Sequence, residues 1–140
     1  MEVRVGHLGD AQFEITARGH RVYCDQPAEA GGYDEGMTPP EFFLAAVGAC
    51  AGYYAAQYLR AAQLPEPGLE VRVSASKAKA PARLEDLRIS IHYPHALEAR
   101  HQEGLRAAAQ RCLIHNTLRH PPRITTEVLA PAAKTPARAA

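Results

Sequence analysis

Net charge is what this sequence has least of: 16 Lys and Arg against 15 Asp and Glu leave +1 over 140 residues. A chain so nearly neutral offers no electrostatic grip on nucleic acid or an anionic membrane, so neither is expected as a partner. Cysteine is scarce and odd in number, with three residues and no C-x-x-C pair, which does not describe a secreted disulfide framework. Residues 1–10 carry charges and no apolar core, so no signal peptide is expected and a reducing cytoplasm is the default location. No phosphate-cradling glycine loop or Ser-His-Asp order is present, and Gly31-Gly32…Gly36 lacks the G-x-G-x-x-G spacing, so no nucleotide cofactor is expected. Long uncharged runs are missing too, with one exception. Residues 42–59 hold no charged side chain, which meets the minimum length of a membrane span. Yet the run is rich in Ala and Gly, holds three Tyr and Gln57, and lacks the Leu/Ile/Val density of a span. It reads as a helix buried inside a soluble protein.

What is present suits one domain over residues 1–130, followed by a tail, 131–140, that lacks core residues and is expected to be disordered. Residues 2–7 and 12–17 alternate polar and apolar side chains, the period of a strand. A third short strand is expected at 21–25, completing an antiparallel meander. Residues 26–37 form a loop by their Gly, Pro and acidic content. Thr38-Pro39-Pro40-Glu41 then marks a helix start, with a capping Thr, Pro in the first turn and Glu three after the cap. This helix should run to about Gln63 and span roughly 40 Å at about 1.5 Å per residue. So long an apolar helix exceeds what one small domain covers, which implies a homodimer. A hairpin follows, with strands 69–76 and 84–92 around a basic turn, Lys77–Arg83. An amphipathic helix is expected at 96–111, weakened by Gly104, then a helical turn at 114–118 and a last strand at 123–129. The order βββ-α-ββ-α-α-β argues an α+β class with antiparallel sheets.

Cys50 and Cys112 are the residues that could carry chemistry. Each could be a small buried hydrophobe. Cys50 lies about three turns into its helix, where the dipole has decayed, so activation there needs a nearby cation. Cys112 has Arg111 and His115 beside it. If the fold brings the two thiols together, the natural chemistry is oxidation of one and its resolution as a disulfide. Glu41 has a structural role as the capping carboxylate. Arg18 and Arg21 are either solvated residues of the strand region or cations that point inward. Cys24 alternates with Val22 and reads as buried and inert. His92-x-x-His95, or Cys112-x-x-His115 with His120, could supply metal ligands, but these scattered positions do not converge, and no metal is expected.

Asp25-x-Pro27, Gly31-Gly32, Gly36, Pro40-Glu41, the Ala/Gly-rich run ending in Cys50, and Cys112-x-x-x-Asn116-Thr117-Leu118 together resemble the OsmC/Ohr-like superfamily of osmotically inducible and organic-hydroperoxide-resistance proteins. The nine-residue step from Glu41 to Cys50 and the run A-V-G-A-C are most similar to its YhfA-like branch. The resemblance covers about residues 20–129. It implies an intertwined homodimer with long central helices between sheets. It implies further that Cys50 attacks a hydroperoxide, that Cys112 resolves the product, and that Glu41 orients a catalytic arginine, for which Arg18 and Arg21 are the candidates. The implied function is a thiol-dependent organic hydroperoxide reductase in stress defence, restored by an external dithiol, with an apolar pocket from Phe42, Phe43, Tyr53, Tyr54 and Tyr58. Leu113 departs from the family's usual Pro after the second cysteine. The alternative is a non-catalytic dimeric protein that binds a small apolar ligand at its interface. A cation within reach of Cys50 would separate the two.

Overall fold

The computed structural model describes residues 1–131 and is built around helix α1, Pro39–Ala61. Thr38 and Glu41 close a capping box at its start, as the sequence predicts. Val47, Ala51, Ala55 and Leu59 recur every four residues and are fully buried, which defines the helix's inner row. Along one flank lies a hairpin of strands β4 (Glu70–Lys79) and β5 (Ala82–His92). Glycine permits that approach: a methyl built on Gly48 would stand 3.1 Å from the Val73 side chain, and one on Gly52 3.5 Å from Val71.

Along the other flank lies helix α2, Ala99–Gln110, whose Leu105 joins Ala55 and Leu59 in the core. Gly104 is here a socket rather than a weak point. A Cβ at Gly104 would fall 2.2 Å from Cζ and Oη of Tyr58, so the Tyr58 ring crosses α2 only because that carbon is missing. The Tyr58 hydroxyl is hydrogen-bonded to His101 Nδ1 at 2.9 Å. Helix α3, Leu113–Arg119, completes this body. The side of α1 that bears Ala45, Ala49, Tyr53 and Gln57 faces outward. Although α1 has the length and apolarity of a membrane span, its inner row packs on protein; yet only 22% of its most apolar stretch is buried.

Strands β1 (Arg4–Gly9), β2 (Gln12–Ala17) and β3 (His20–Cys24) form the expected meander in the order β1-β2-β3. Register places Val5, Ile15 and Val22 side by side, with Phe13 and Cys24 on the same face. Glu14, Thr16, Arg21 and Tyr23 line the other face. No helix or strand of the body packs extensively against this sheet. Its apolar face is open, with Val5 60% and Val22 46% exposed. The sheet is thus an arm with no core of its own.

Two sequence-based expectations are revised, and one is not tested. The basic residues 77–83 do not form a wide turn: both strands run on, and only Ala80-Pro81 separates them. A bulge at Asp86, whose φ is +54°, absorbs the extra residue of β5. The strand expected at 123–129 pairs with nothing among the described residues. A lone segment gains no ladder, and Ile124, Val128 and Leu129 stand 86%, 88% and 91% exposed. The tail expected to be disordered lies, but for Pro131, outside the described residues.

Candidate active site

The fold brings Cys50 and Cys112 together as two free thiols, close enough for one to bear on the other's proton. Helix α1 carries Cys50 half-buried, one position before the inner-row residue Ala51. Cys112 sits where α2 ends and α3 begins, and it is fully buried. Its extended backbone makes it the N-cap of α3, with Sγ accepting the His115 amide at 3.3 Å. Leu113 starts this helix without a proline: the thiol itself caps the turn. Cys24 is also a free thiol, but it is buried in the arm.

Burial pushes the Cys112 thiol up from its ordinary pKa, the His115 amide pulls it partly back, and contact with Cys50 raises it again. A thiol held protonated beside a second thiol suits a resolving role rather than an attacking one.

Glu41 accepts two hydrogen bonds from Thr38, one from the amide and one from the hydroxyl, both at 2.7 Å. These bonds, helped weakly by Lys77, hold its carboxyl below the usual range. It makes no ion pair with an arginine among the described residues. Nine residues at about 100° each place it on the opposite side of α1 from Cys50. Arg21 lies on the polar face of the arm, 62% exposed and 3.0 Å from Glu14. Arg18 occupies the β2–β3 turn with a φ of +51° and is exposed. Both arginines ride on the arm, so neither is packed against Cys50 of its own chain. The structure joins the two cysteines and leaves Glu41, Arg18 and Arg21 apart.

A groove of about 600 Å3 opens between β5 and α2. Leu87, Ile89, Ile91 and Leu105 form its apolar wall, and His115, the residue that bonds Cys112, stands at one end. A smaller apolar hollow of about 440 Å3 adjoins it through Leu87 and takes in Phe43, Leu84 and Leu118. Of the aromatic residues expected to line a pocket, Phe43 does so, Tyr58 is committed to Gly104, and Tyr53 is exposed. Among the described residues no cluster of three His, Cys, Asp or Glu could hold a metal ion.

Sequence reasoning missed two features. Asp25 entered only as part of a motif, yet among the described residues it is the one buried charged residue. The Tyr58–Gly104 socket joins residues 46 positions apart, and no local pattern announces it.

None of the curated proteins compared with the chain matches it. Solved structures share its fold at low identity. A Psychrobacter arcticus protein assigned to the osmotic stress and detoxification response is 18% identical, with a TM-score of 0.76 over 82% of this chain and 85% of that one. An OsmC-like protein of Mycoplasma pneumoniae is 20% identical, with a TM-score of 0.69 over 86% and 87%. The organic hydroperoxide resistance protein OhrB of Bacillus subtilis is 19% identical, with a TM-score of 0.59 over 86% and 93%. The OsmC-like protein family matches residues 32–127, a span that holds Glu41, Cys50 and Cys112 and leaves out the whole arm. With that match across most of its length, the chain belongs to the OsmC-like proteins.

Proposed function

We propose that this protein is a thiol-dependent reductase of organic hydroperoxides that works as a homodimer in the cytoplasm. The observation that carries the reading is the contact between Cys50 and Cys112 across 62 residues of sequence. The Cys50 thiolate attacks the outer peroxide oxygen. An S–O bond forms, the O–O bond breaks, and the alkoxide leaves as the alcohol after taking a proton. The buried Cys112 thiol then attacks the Cys50 sulfur. An S–S bond forms, the S–O bond breaks, and the hydroxyl leaves as water with the Cys112 proton. An external dithiol reduces the disulfide and closes the cycle.

A second copy supplies what one chain lacks. The arm's open apolar face and the uncovered side of α1 support mutual packing. Arg18, at the arm's tip and without an ion pair among the described residues, is the cation that reaches the partner's thiolate. Arg21, committed to Glu14 on the polar face, is not. Glu41 serves as a helix cap.

Stopped-flow consumption of cumene hydroperoxide, with and without excess dithiothreitol, tests this. The expected result is one Cys50–Cys112 disulfide per peroxide in the absence of reductant, formed far faster than free cysteine reacts. Thiol loss no faster than that of free cysteine sinks the enzyme reading and leaves the groove beside β5 as a ligand site. Light scattering should give twice 15.2 kDa; a stable monomer at micromolar concentration rejects the dimer.

A further inference from the structure

Asp25 is the buried charge that the proposed chemistry does not use. It is 1% exposed, and no cation pairs with it among the described residues. Its partners are donors from two parts of the chain. Oδ1 accepts the Gln26 amide at 2.7 Å, and Oδ2 accepts the amides of Tyr33 at 3.0 Å and Glu35 at 3.1 Å. Gln12 of β2 donates to the same Oδ2 at 3.3 Å and to Glu35 at 2.8 Å. Tyr33 also donates its hydroxyl to Asp10, at the β1–β2 turn, at 2.6 Å.

The loop is folded around this carboxylate. A Cβ on Gly32 would stand 2.0 Å from the Gln26 carbonyl oxygen and 2.5 Å from Asp25 Oδ1; one on Gly36 would stand 2.7 Å from the Tyr23 carbonyl oxygen. Only glycine lets the chain pass that close. The two ends of the loop meet, since the Asp25 amide donates to the Met37 carbonyl at 3.4 Å and Cys24 bridges Met37 in parallel. Thr38, the cap of α1, is the next residue.

We infer that Asp25 is a positioning residue: its ionised carboxylate clasps residues 26–36, so that the arm leaves α1 at one fixed angle. The arm and the body are joined in sequence only by this loop. Clasped, the loop adds no slack between Cys24 and Met37. Unclasped, its eleven residues become a flexible tether, and the arm's tip samples many positions. The catalytic consequence rests on the reading above, in which the tip brings Arg18 to a second copy. The clasp itself does not.

Two variants open the clasp by different routes. Asp25→Asn keeps an oxygen for Gln26 but turns an NH2 toward three donors. Gly32→Ala leaves the charge in place and blocks the close approach. Both are compared with wild type for cleavage of residues 26–36 by a protease of broad specificity. They are also compared for oxidation by diamide, which takes two hydrogens from the Cys50–Cys112 pair and needs only the body, and for oxidation by cumene hydroperoxide. Each variant should be cleaved at least tenfold faster and lose at least tenfold in hydroperoxide rate, while its diamide rate stays within twofold. The double variant should fall little further than either single one, because both changes open one clasp. Wild-type resistance to protease in both variants overturns the clasp. Rapid cleavage with an unchanged hydroperoxide rate overturns the positioning role. If wild type itself consumes no hydroperoxide, the enzyme reading fails; the proteolysis still decides the clasp, and cleavage of both variants at the wild-type rate rejects it.

Discussion

Replacing Arg18 by glycine separates what the residue costs the fold from what it does for chemistry. Its φ of +51° lies in the left-handed region, which disfavours side chains other than glycine by about 1–2 kcal/mol. Glycine relieves that strain and, in exchange, gives the unfolded chain additional freedom of about 0.5–1 kcal/mol. The two terms nearly cancel, so the stability of Arg18→Gly should lie within about 1 kcal/mol of wild type, on the stable side. The chemistry has no such cancellation. A guanidinium about 4 Å from the reacting sulfur in a half-buried site contributes about 4 kcal/mol at an effective dielectric of about 20. Mutational losses of a single such stabilising group run to about 10²–10³ in rate. The expected outcome is a second-order rate with cumene hydroperoxide down at least a hundredfold, with unchanged urea midpoint and unchanged diamide oxidation. Arg21→Ala is the matched control, because its exposed pair with Glu14 is worth no more than about 1 kcal/mol and its rate should hold. Full peroxide activity in Arg18→Gly refutes the assignment. So does an equal loss in both variants.

Cys50→Ser should consume no peroxide, whereas Cys112→Ser should complete one turnover and leave a Cys50 sulfenic acid that dimedone traps; mass spectrometry showing no adduct rejects the division of roles. Gly104→Ala, stabilising by about 1 kcal/mol on helix propensity alone, should instead destabilise. Moving the Tyr58 ring from the core beside Leu59 costs about 1–3 kcal/mol, and its bond to His101 is about 1 kcal/mol more. Urea unfolding at fixed protein concentration reads the sign, and a raised midpoint refutes the socket. Acid should act through Asp25. Burial alone would raise its pKa, but the Gln26, Glu35 and Tyr33 amides and the Gln12 side chain bring it below the ordinary 3.8. A depressed carboxyl contributes stability that is present above its unfolded pKa and lost as pH falls through the folded one. Melting temperature should therefore drop more steeply below pH 3.8 in wild type than in Asp25→Asn; parallel curves contradict this.

Local chemistry made much of this molecule legible. Thr38-Pro39-Pro40-Glu41 announced α1 to the residue because capping and proline act within one turn. The alternation at 12–17 gave β2 its bounds for the same reason. The pairing of Cys50 with Cys112 came from family resemblance rather than spacing, since nothing local tells one buried thiol that another will meet it. Gly104 was misread because its meaning lies in Tyr58, on another helix. The strand expected at 123–129 did not form, because a strand needs an edge to join and composition cannot supply one. Arg21 looked equivalent to Arg18 until register put it on the polar face, because only cross-strand pairing assigns faces.

The arm also bears on how the chain is made. It leaves the ribosome before the body does, yet three short strands with one open apolar face are marginal without something to pack on. The order of synthesis therefore runs opposite to the order of stabilisation: α1, β4, β5 and α2 can consolidate locally, while the earliest residues wait. During that interval Val5, Ile15 and Val22 present a sticky surface with free strand edges on both sides. Slow translation and low chain density would lengthen the exposure, and chaperones that shield short apolar strands would find their first client segment here.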